Sequence, residues 1–325
     1  MNKIARPFIP WVGGKEKLAP YIQQVLPPAI KTYVEPFGGS GAILLGLPPS
    51  NQRLDIYNDF NRDLVNLFLC ARDRPLALVK ELNFLPLHSR AEFEYLRDCL
   101  TREEYADQYF QYCEEEKRIA IAYFSPEEAS ELLSILQKKM ELMDVRRAAA
   151  YFKISRGSFS GTTSSFGVKA CDVRQFFYLL WEASRRLRNV VIENMDGATL
   201  VTKRDERDTL FYCDPPYYKA EQHYQMVFSQ ESHVLLHEAV RACKGSVVVS
   251  YNDCEYIREL YQDFFILAFT RSNPLAQQSG AVYGEVILTN YDPREFIPQM
   301  NLFEKSGSWG DMELVHIPEK PLKTI

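Results

Sequence analysis

Seven short apolar runs, each closed by turn residues, recur along this 325-residue chain. They are Lys31–Phe37, Arg53–Asn58, Asn189–Met195, Thr209–Cys213, Ser246–Tyr251, Phe264–Thr270 and Glu285–Asn290. Helical patterns lie between most of them, at Ala42–Leu47, Asn61–Ala71, Arg174–Leu187, Gln230–Cys243 and Glu255–Tyr261. Parallel strands need a crossover connection of about a dozen residues or more, usually a helix. The rhythm therefore predicts an α/β fold around a mostly parallel, Rossmann-like sheet of seven strands.

That rhythm breaks between Arg72 and Lys169, where strand signals are scarce. Charged, Tyr-rich helical stretches take over at Arg90–Leu100, Glu103–Tyr123 and Pro126–Met143, and Ile154–Val168 then turns rich in Ser, Gly and Thr. The organisation expected is a first α/β part at 1–71, a mainly helical insertion at 72–169, a second α/β part at 170–292 and a tail at 293–325. Ser272–Gly284 reads as a loop, and the tail, with four prolines, gives no clear element.

Hydrophobic residues at 46% and charged residues at 25% are an ordinary globular balance, sufficient for a real core. No apolar run reaches the roughly 18 residues that span a bilayer. Met1–Pro7 lacks the apolar centre of a secretory signal. Seven cysteines stand singly, an odd count with no Cys-x-x-Cys, which argues against a disulfide framework or a zinc knuckle. A soluble, reduced, cytoplasmic protein is expected. The net charge of −5 hides an asymmetry: Lys138–Arg188 holds eleven Lys/Arg against four Asp/Glu. Such a segment can bind a polyanion by counterion release. The plainer reading makes Arg146, Arg147, Arg185, Arg186 and Arg188 solvated helix faces, and charge alone favours it.

Four motifs carry chemistry. Tyr33-Val34-Glu35-Pro36-Phe37-Gly38-Gly39-Ser40-Gly41 is a strand ending in a glycine turn that opens a helix, which lets a ligand lie against bare backbone. It is not the dinucleotide fingerprint Gly-x-Gly-x-x-Gly, because Leu44 stands at the third glycine. Asp59 ends the second strand, with Asn61 two residues on. An acid there can accept from ribose hydroxyls, or can simply cap the following helix. The sharpest motif is Asp214-Pro215-Pro216-Tyr217 after an apolar strand. Two prolines stiffen that loop, Asp214 offers an acceptor and Tyr217 a flat face, a set suited to a planar base bearing an amine. Phe8-Ile9-Pro10-Trp11-Val12-Gly13-Gly14-Lys15 places an indole and an ammonium about a Gly-Gly turn, where they could hold the amino-acid end of a ligand.

In this order the motifs resemble the Dam-type family of S-adenosylmethionine-dependent DNA adenine N6-methyltransferases, over about residues 6–70 and 150–292. The resemblance implies a seven-stranded methyltransferase sheet in two parts, 1–71 and 170–292, with target recognition in the 72–169 insertion. It implies Asp214, Pro215, Pro216 and Tyr217 as the catalytic loop. For S-adenosylmethionine it implies Trp11 and Lys15 at the methionine part, Glu35, Phe37, Gly39 and Gly41 around the cofactor, Asp59 and Asn61 near the ribose, and Asp196 at the adenine. Lys153, Arg156, Ser158 and Lys169 are the candidate DNA contacts. The Ser155–Gly167 segment looks closer to phage-borne members than to the housekeeping GATC enzymes, which carry an Asn/Arg/Lys-rich hairpin there. Partners implied are double-stranded DNA and a cognate restriction endonuclease, with no membrane and no metal.

Other chemistries fit less well. A cytosine C5 enzyme needs a nucleophilic cysteine after proline, whereas Cys213 follows Tyr212 in an apolar strand. His233 and His237 are four apart on a helix, but Val234 stands where a zinc protease has glutamate. The alternative kept open is transfer to another amine: cytosine N4, an RNA base or a protein amide.

Overall fold

A computed structural model describes residues 5–11, 13–16, 18–82, 89–101, 118–158, 161, 163–167, 172–219, 228–272, 282–296, 308–309 and 312–323. The chain divides into two compact units. One comprises 1–4, 13–60 and 189–325, and the other 5–12 and 61–188.

The first unit holds a single sheet. In chain order its strands are β1 Thr32–Glu35, β2 Leu54–Asn58, β3 Val190–Glu193, β4 Thr209–Cys213, β5 Ser246–Asn252, β6 Phe265–Ser272, β7 Val282–Thr289, β8 Ser308–Trp309 and β9 Met312–His316. They line up as β3-β2-β1-β4-β5-β7-β6-β9-β8. The first five in that row are parallel, and every later neighbour pair is antiparallel. Seven strands thus run one way, with β7 and β9 opposed. The seven expected strands are all present, but among the described residues the sheet has nine: the tail, which shows no clear element in sequence, supplies β8 and β9. These are short, and β9 alternates buried and exposed positions as an outer strand does.

The central strands are buried on both faces, as β4 is along its whole length. Val34, Ile56, Phe211, Cys213, Val247, Val249 and Tyr251 share one core with Leu200, Val201, Leu236, Val240 and Ile257 from helices 197–203, 230–241 and 255–260, and with Tyr261 just after the last of these. Alternate residues Tyr33, Tyr57, Leu210, Tyr212 and Val248 point to the other face and are equally buried. Because β1 to β5 are parallel, the turns after β1, β2, β3, β4 and β5 all leave from one edge of the sheet. The strand order reverses direction between β1 and β4, and open α/β sheets bind ligands in the crevice at such a point.

The second unit is helical among its described residues. Its helix Val145–Gly157 contacts helices 62–73, 75–81 and 90–101. Ala148, Ala149 and Ala150 keep that helix slim and are buried. Asp144 caps it by accepting from Arg147 N at 2.8 Å, while Asn66 Nδ2 donates to Asp144 O at 2.8 Å. Residues 154–157, where the sequence turns rich in Ser, Gly and Thr, are the last turn of this helix. Most of Glu103–Tyr123 and of Ser272–Gly284 lies outside the described residues. Among the described residues no helix is long and apolar enough to cross a membrane, and no group of three or more His, Cys, Asp or Glu could hold a metal ion.

Candidate active site

The glycine turn after β1 is held from three sides. Gly39 and Gly41 have φ of +50° and +67°, which a side chain would strain. Gly41 is the N-cap of the helix Ala42–Gly46 and has no side chain to satisfy that helix's first amides. Glu35 does so from β1: its Oε1 accepts from Leu44 N at 2.6 Å and from the Tyr33 hydroxyl at 2.6 Å. Glu35 is buried, and its charge sits at the positive end of the helix. This carboxylate, expected around a cofactor, shapes the turn from beneath.

Asp59 Oδ2 accepts from Gly39 N at 2.9 Å, and the Tyr57 hydroxyl donates to Gly39 O at 2.7 Å. The reading of Asp59 as a helix cap falls, because Asn61 caps the helix Arg62–Asp73, accepting from Asp63 N and Leu64 N. The other end of the Asn61 amide donates to the Tyr151 hydroxyl at 3.2 Å. Both ends of the Asn61 amide are so engaged within the helical unit. Asn194 Nδ2 donates to Asp59 O at 2.8 Å and Phe60 O at 3.2 Å, fixing the turn after β2 to the end of β3. Phe60, missed in the sequence, is left 57% exposed there, an unusual position for a phenylalanine on such a braced turn. Asn58 was missed too. It is fully buried, donating to Pro36 O at 2.7 Å and Met195 O at 3.0 Å and accepting from Met195 N at 2.9 Å. One amide thereby ties the ends of β1, β2 and β3 together. Asp196 caps the helix Gly197–Lys203 through Thr199 N at 2.8 Å. A Cβ on Gly197 would meet the Phe37 ring at 2.4 Å, so Phe37 lies directly against that helix start.

Asp214, Pro215, Pro216 and Tyr217 leave β4 beside the glycine turn. Asp214 Oδ1 accepts from Ser250 Oγ at 2.9 Å and pairs with Lys15 Nζ at 2.7 Å. Ser250 is in turn hydrogen-bonded to the Tyr212 hydroxyl at 3.0 Å. Burial, then the nearby Asp214 charge, push the Tyr212 phenol well above its usual range, so it stays protonated. Asn252 Nδ2 donates to Tyr218 O at 3.2 Å, so β5 braces the loop at two points. Tyr217 is 6% exposed, with Lys15 Nζ 4.7 Å from its ring centroid. Lys15, expected toward a methionine tail, is thus found on the Asp214 carboxylate. Cys213 is fully buried, and burial pushes its thiol well above the usual range, which leaves it inert as a nucleophile. His233 is also buried, with Nδ1 2.8 Å from the Tyr251 hydroxyl, while His237 pairs with Asp263 at 2.9 Å. Among the described residues neither belongs to a group of three or more His, Cys, Asp or Glu that could hold a metal ion.

The described candidate DNA contacts are engaged within the protein. The Arg156 guanidinium donates to Phe8 O at 3.1 Å and lies 3.6 Å over the Phe176 ring. Ser158 is buried and donates to Ser155 O at 3.0 Å. Lys153 reaches Glu92 at 3.5 Å. All three stitch the helical unit together, because they ride on its central helix or at its end. Lys169 lies outside the described residues. Two further cations of the same segment are paired with acids, Arg146 with Glu81 and Arg147 with Asp63. Trp11 belongs to the helical unit, where it is half-buried.

A family model described as D12 class N6 adenine-specific DNA methyltransferase matches residues 11–272. The chain is 28% identical over 304 residues to the Type II methyltransferase M1.LlaDCHI of Lactococcus lactis subsp. cremoris, covering 89% of this chain and 97% of that one. It is 28% identical over 226 residues to the Type II methyltransferase M.MjaIII of Methanocaldococcus jannaschii, 65% and 69% of the two chains. It is 25% identical over 228 residues to a DNA adenine methylase of Vibrio cholerae, 66% of each.

Proposed function

This chain belongs to the D12 class N6 adenine-specific DNA methyltransferase family and methylates adenine N6 in DNA; from that premise we propose that the methyl donor is S-adenosylmethionine and that Asp214, Pro215 and Tyr217 hold the adenine. One observation carries the reading. The loop bearing Asp214 leaves β4 and the glycine turn leaves β1, and these are adjacent parallel strands at the point where strand order reverses.

The residues fit this cofactor. Its ribose diol calls for a carboxylate acceptor, and Asp59 is held at the turn by Gly39 N–H. Its adenine calls for a flat apolar surface, and Phe60 offers an exposed ring beside Asp59. When bound, the cofactor supplies an electrophilic methyl group on a sulfonium. The adenine amine is a weak nucleophile because its lone pair is delocalised into the ring. Flipped out of the duplex, the base stacks on Tyr217. Asp214 accepts one N6 hydrogen and the Pro215 carbonyl the other. The lone pair is thereby localised and aimed, and the Asp214 charge stabilises the positive charge that grows on nitrogen.

Sequence readout in double-stranded DNA is assigned to the helical unit, through side chains other than Arg156, Lys153 and Ser158. Two relatives named as Type II methyltransferases support a place in a restriction–modification system, opposite a cognate endonuclease in the cytoplasm.

A plasmid from a methylation-deficient host expressing the chain is expected to carry N6-methyladenine at one recurring short sequence, read by modification-sensitive sequencing. An unmodified plasmid, from cells whose soluble protein binds S-adenosylmethionine, overturns the proposal. Phe60→Ala is expected to weaken S-adenosylmethionine about tenfold in calorimetry, since stacking on an aromatic ring is worth about 1–3 kcal/mol per base. Unchanged affinity removes Phe60 from the cofactor site.

A further inference from the structure

A nitrogen of this chain already stands beside Asp214 and over Tyr217. Lys15 Nζ is 2.7 Å from Asp214 Oδ1, 2.8 Å from Gly13 O and 4.7 Å from the Tyr217 ring centroid. Its side chain is 4% exposed. Ser250 Oγ donates to the same Asp214 oxygen at 2.9 Å, which fixes the carboxylate's orientation toward Lys15. An adenine amine caught in methyl transfer would be a nitrogen gaining positive charge, donating a hydrogen to Asp214 and lying over Tyr217. The Lys15 ammonium is cationic, donates to Asp214 and lies over Tyr217.

We propose that Lys15 is an internal occupant of the acceptor site, seated where the adenine amine must go and displaced when the base enters. The inference rests on the assignment of Asp214 and Tyr217 as the acceptor site. A physical need accounts for it. A largely buried carboxylate without a counterion is costly, and a stiff loop cannot turn Asp214 away. A lysine supplies that counterion on a flexible four-carbon stem, so it can leave. Its place over the ring also keeps the Tyr217 face covered until a flat base competes for it. Flipping then carries the added cost of breaking the Lys15–Asp214 pair. Only a nitrogen that can donate to Asp214 recovers that interaction, so Lys15 contributes to selecting an amine-bearing base. Lys15 is therefore a positioning residue that acts on entry of the base.

The test uses the full-length enzyme without cofactor and a duplex carrying 2-aminopurine directly beside the adenine found to be methylated, so that the target keeps its N6 amine and the probe reports its unstacking. At saturating enzyme, checked by anisotropy, Lys15→Met keeps the stem and removes the charge. It is expected to raise the 2-aminopurine fluorescence about threefold or more over wild type, the signature of a larger flipped population. Lys15→Arg keeps a cation and is expected to stay at or below the wild-type signal. A Lys15→Met signal equal to or below wild type overturns the inference. Should Lys15→Met fail to unfold cooperatively, Lys15→Gln is read by the same criterion. A chain that methylates no DNA refutes the acceptor-site reading itself. A chain that methylates DNA but flips equally with and without the Lys15 charge refutes only the displacement.

Discussion

Asp214→Ala is expected to reduce single-turnover methylation by about a thousandfold or more, the scale seen when a preorganised partner of the developing charge is removed. Its carboxylate is the charged acceptor of the loop and is positioned by two donors, Ser250 Oγ and Lys15 Nζ. Neither donor can replace it, since each offers hydrogen where the reacting amine also offers hydrogen. Binding of S-adenosylmethionine should survive in the variant. The groups proposed to hold the cofactor are on the turns after β1 and β2, and their bracing runs through Glu35, Tyr57 and Asn58 rather than through β4. Quench-flow methylation and calorimetry together check this. Turnover within tenfold of wild type would sink the assignment of Asp214. Loss of both turnover and cofactor binding would instead mean that Lys15, left without its partner, disturbs the neighbouring glycine turn.

The parallel half of the sheet is legible in sequence because each strand there is buried on both faces and closed by turn residues. Thr209–Cys213 is bounded identically in sequence and structure. The antiparallel end is less legible. Ser308–Trp309 is two residues long, and Met312–His316 carries a glutamate and a histidine, so neither forms an apolar run. In the site, residues announced by unusual composition, the glycine turn and Asp214–Tyr217, are found together in one unit. Residues judged from charge or proximity make contacts that the sequence does not announce. Arg156 looks like a DNA contact in sequence, but sequence does not reveal that Phe8 O and the Phe176 ring enclose its guanidinium. Asn61 looks like a ligand group because it follows Asp59, yet a helix begins at the next residue and takes its side chain as a cap. Asn58 carries no motif at all. Its importance comes from three hydrogen bonds to turns distant in sequence, Pro36 and Met195, which only the sheet brings near. The Lys15–Asp214 pair is of the same kind, joining residues on opposite sides of a long stretch of chain.

Gly38→Ala is expected to damage the enzyme more than any other glycine change of similar size. A Cβ there would fall 2.2 Å from Tyr57 Cε2, 2.6 Å from Cδ2 and 2.8 Å from Cζ. Tyr57 cannot swing aside freely. It is fully buried, and its hydroxyl donates to Gly39 O at 2.7 Å. The glycine turn cannot lift freely either, because Gly38 N donates to Asn58 O at 2.7 Å and Gly39 N to Asp59. Overpacking costs about 1–3 kcal/mol, and a buried hydrogen bond broken in the process adds about 1–3 kcal/mol. The melting temperature should drop by about 5 °C or more on that scale. Affinity for S-adenosylmethionine should fall in the same variant, because the strain lands on the turn proposed to hold it. Gly46→Ala is the control. Its Cβ would meet only Gln23 Nε2, at 3.4 Å, the far end of a flexible side chain, and alanine in a helix is favoured over glycine by up to about 1 kcal/mol. That variant should melt at or above wild type and bind the cofactor normally. If Gly38→Ala and Gly46→Ala behave alike, the close approach of Tyr57 is not what holds the turn. If Gly38→Ala melts lower yet binds the cofactor as wild type does, the strain is absorbed by Tyr57 and the core, and the glycine turn is not the cofactor's seat.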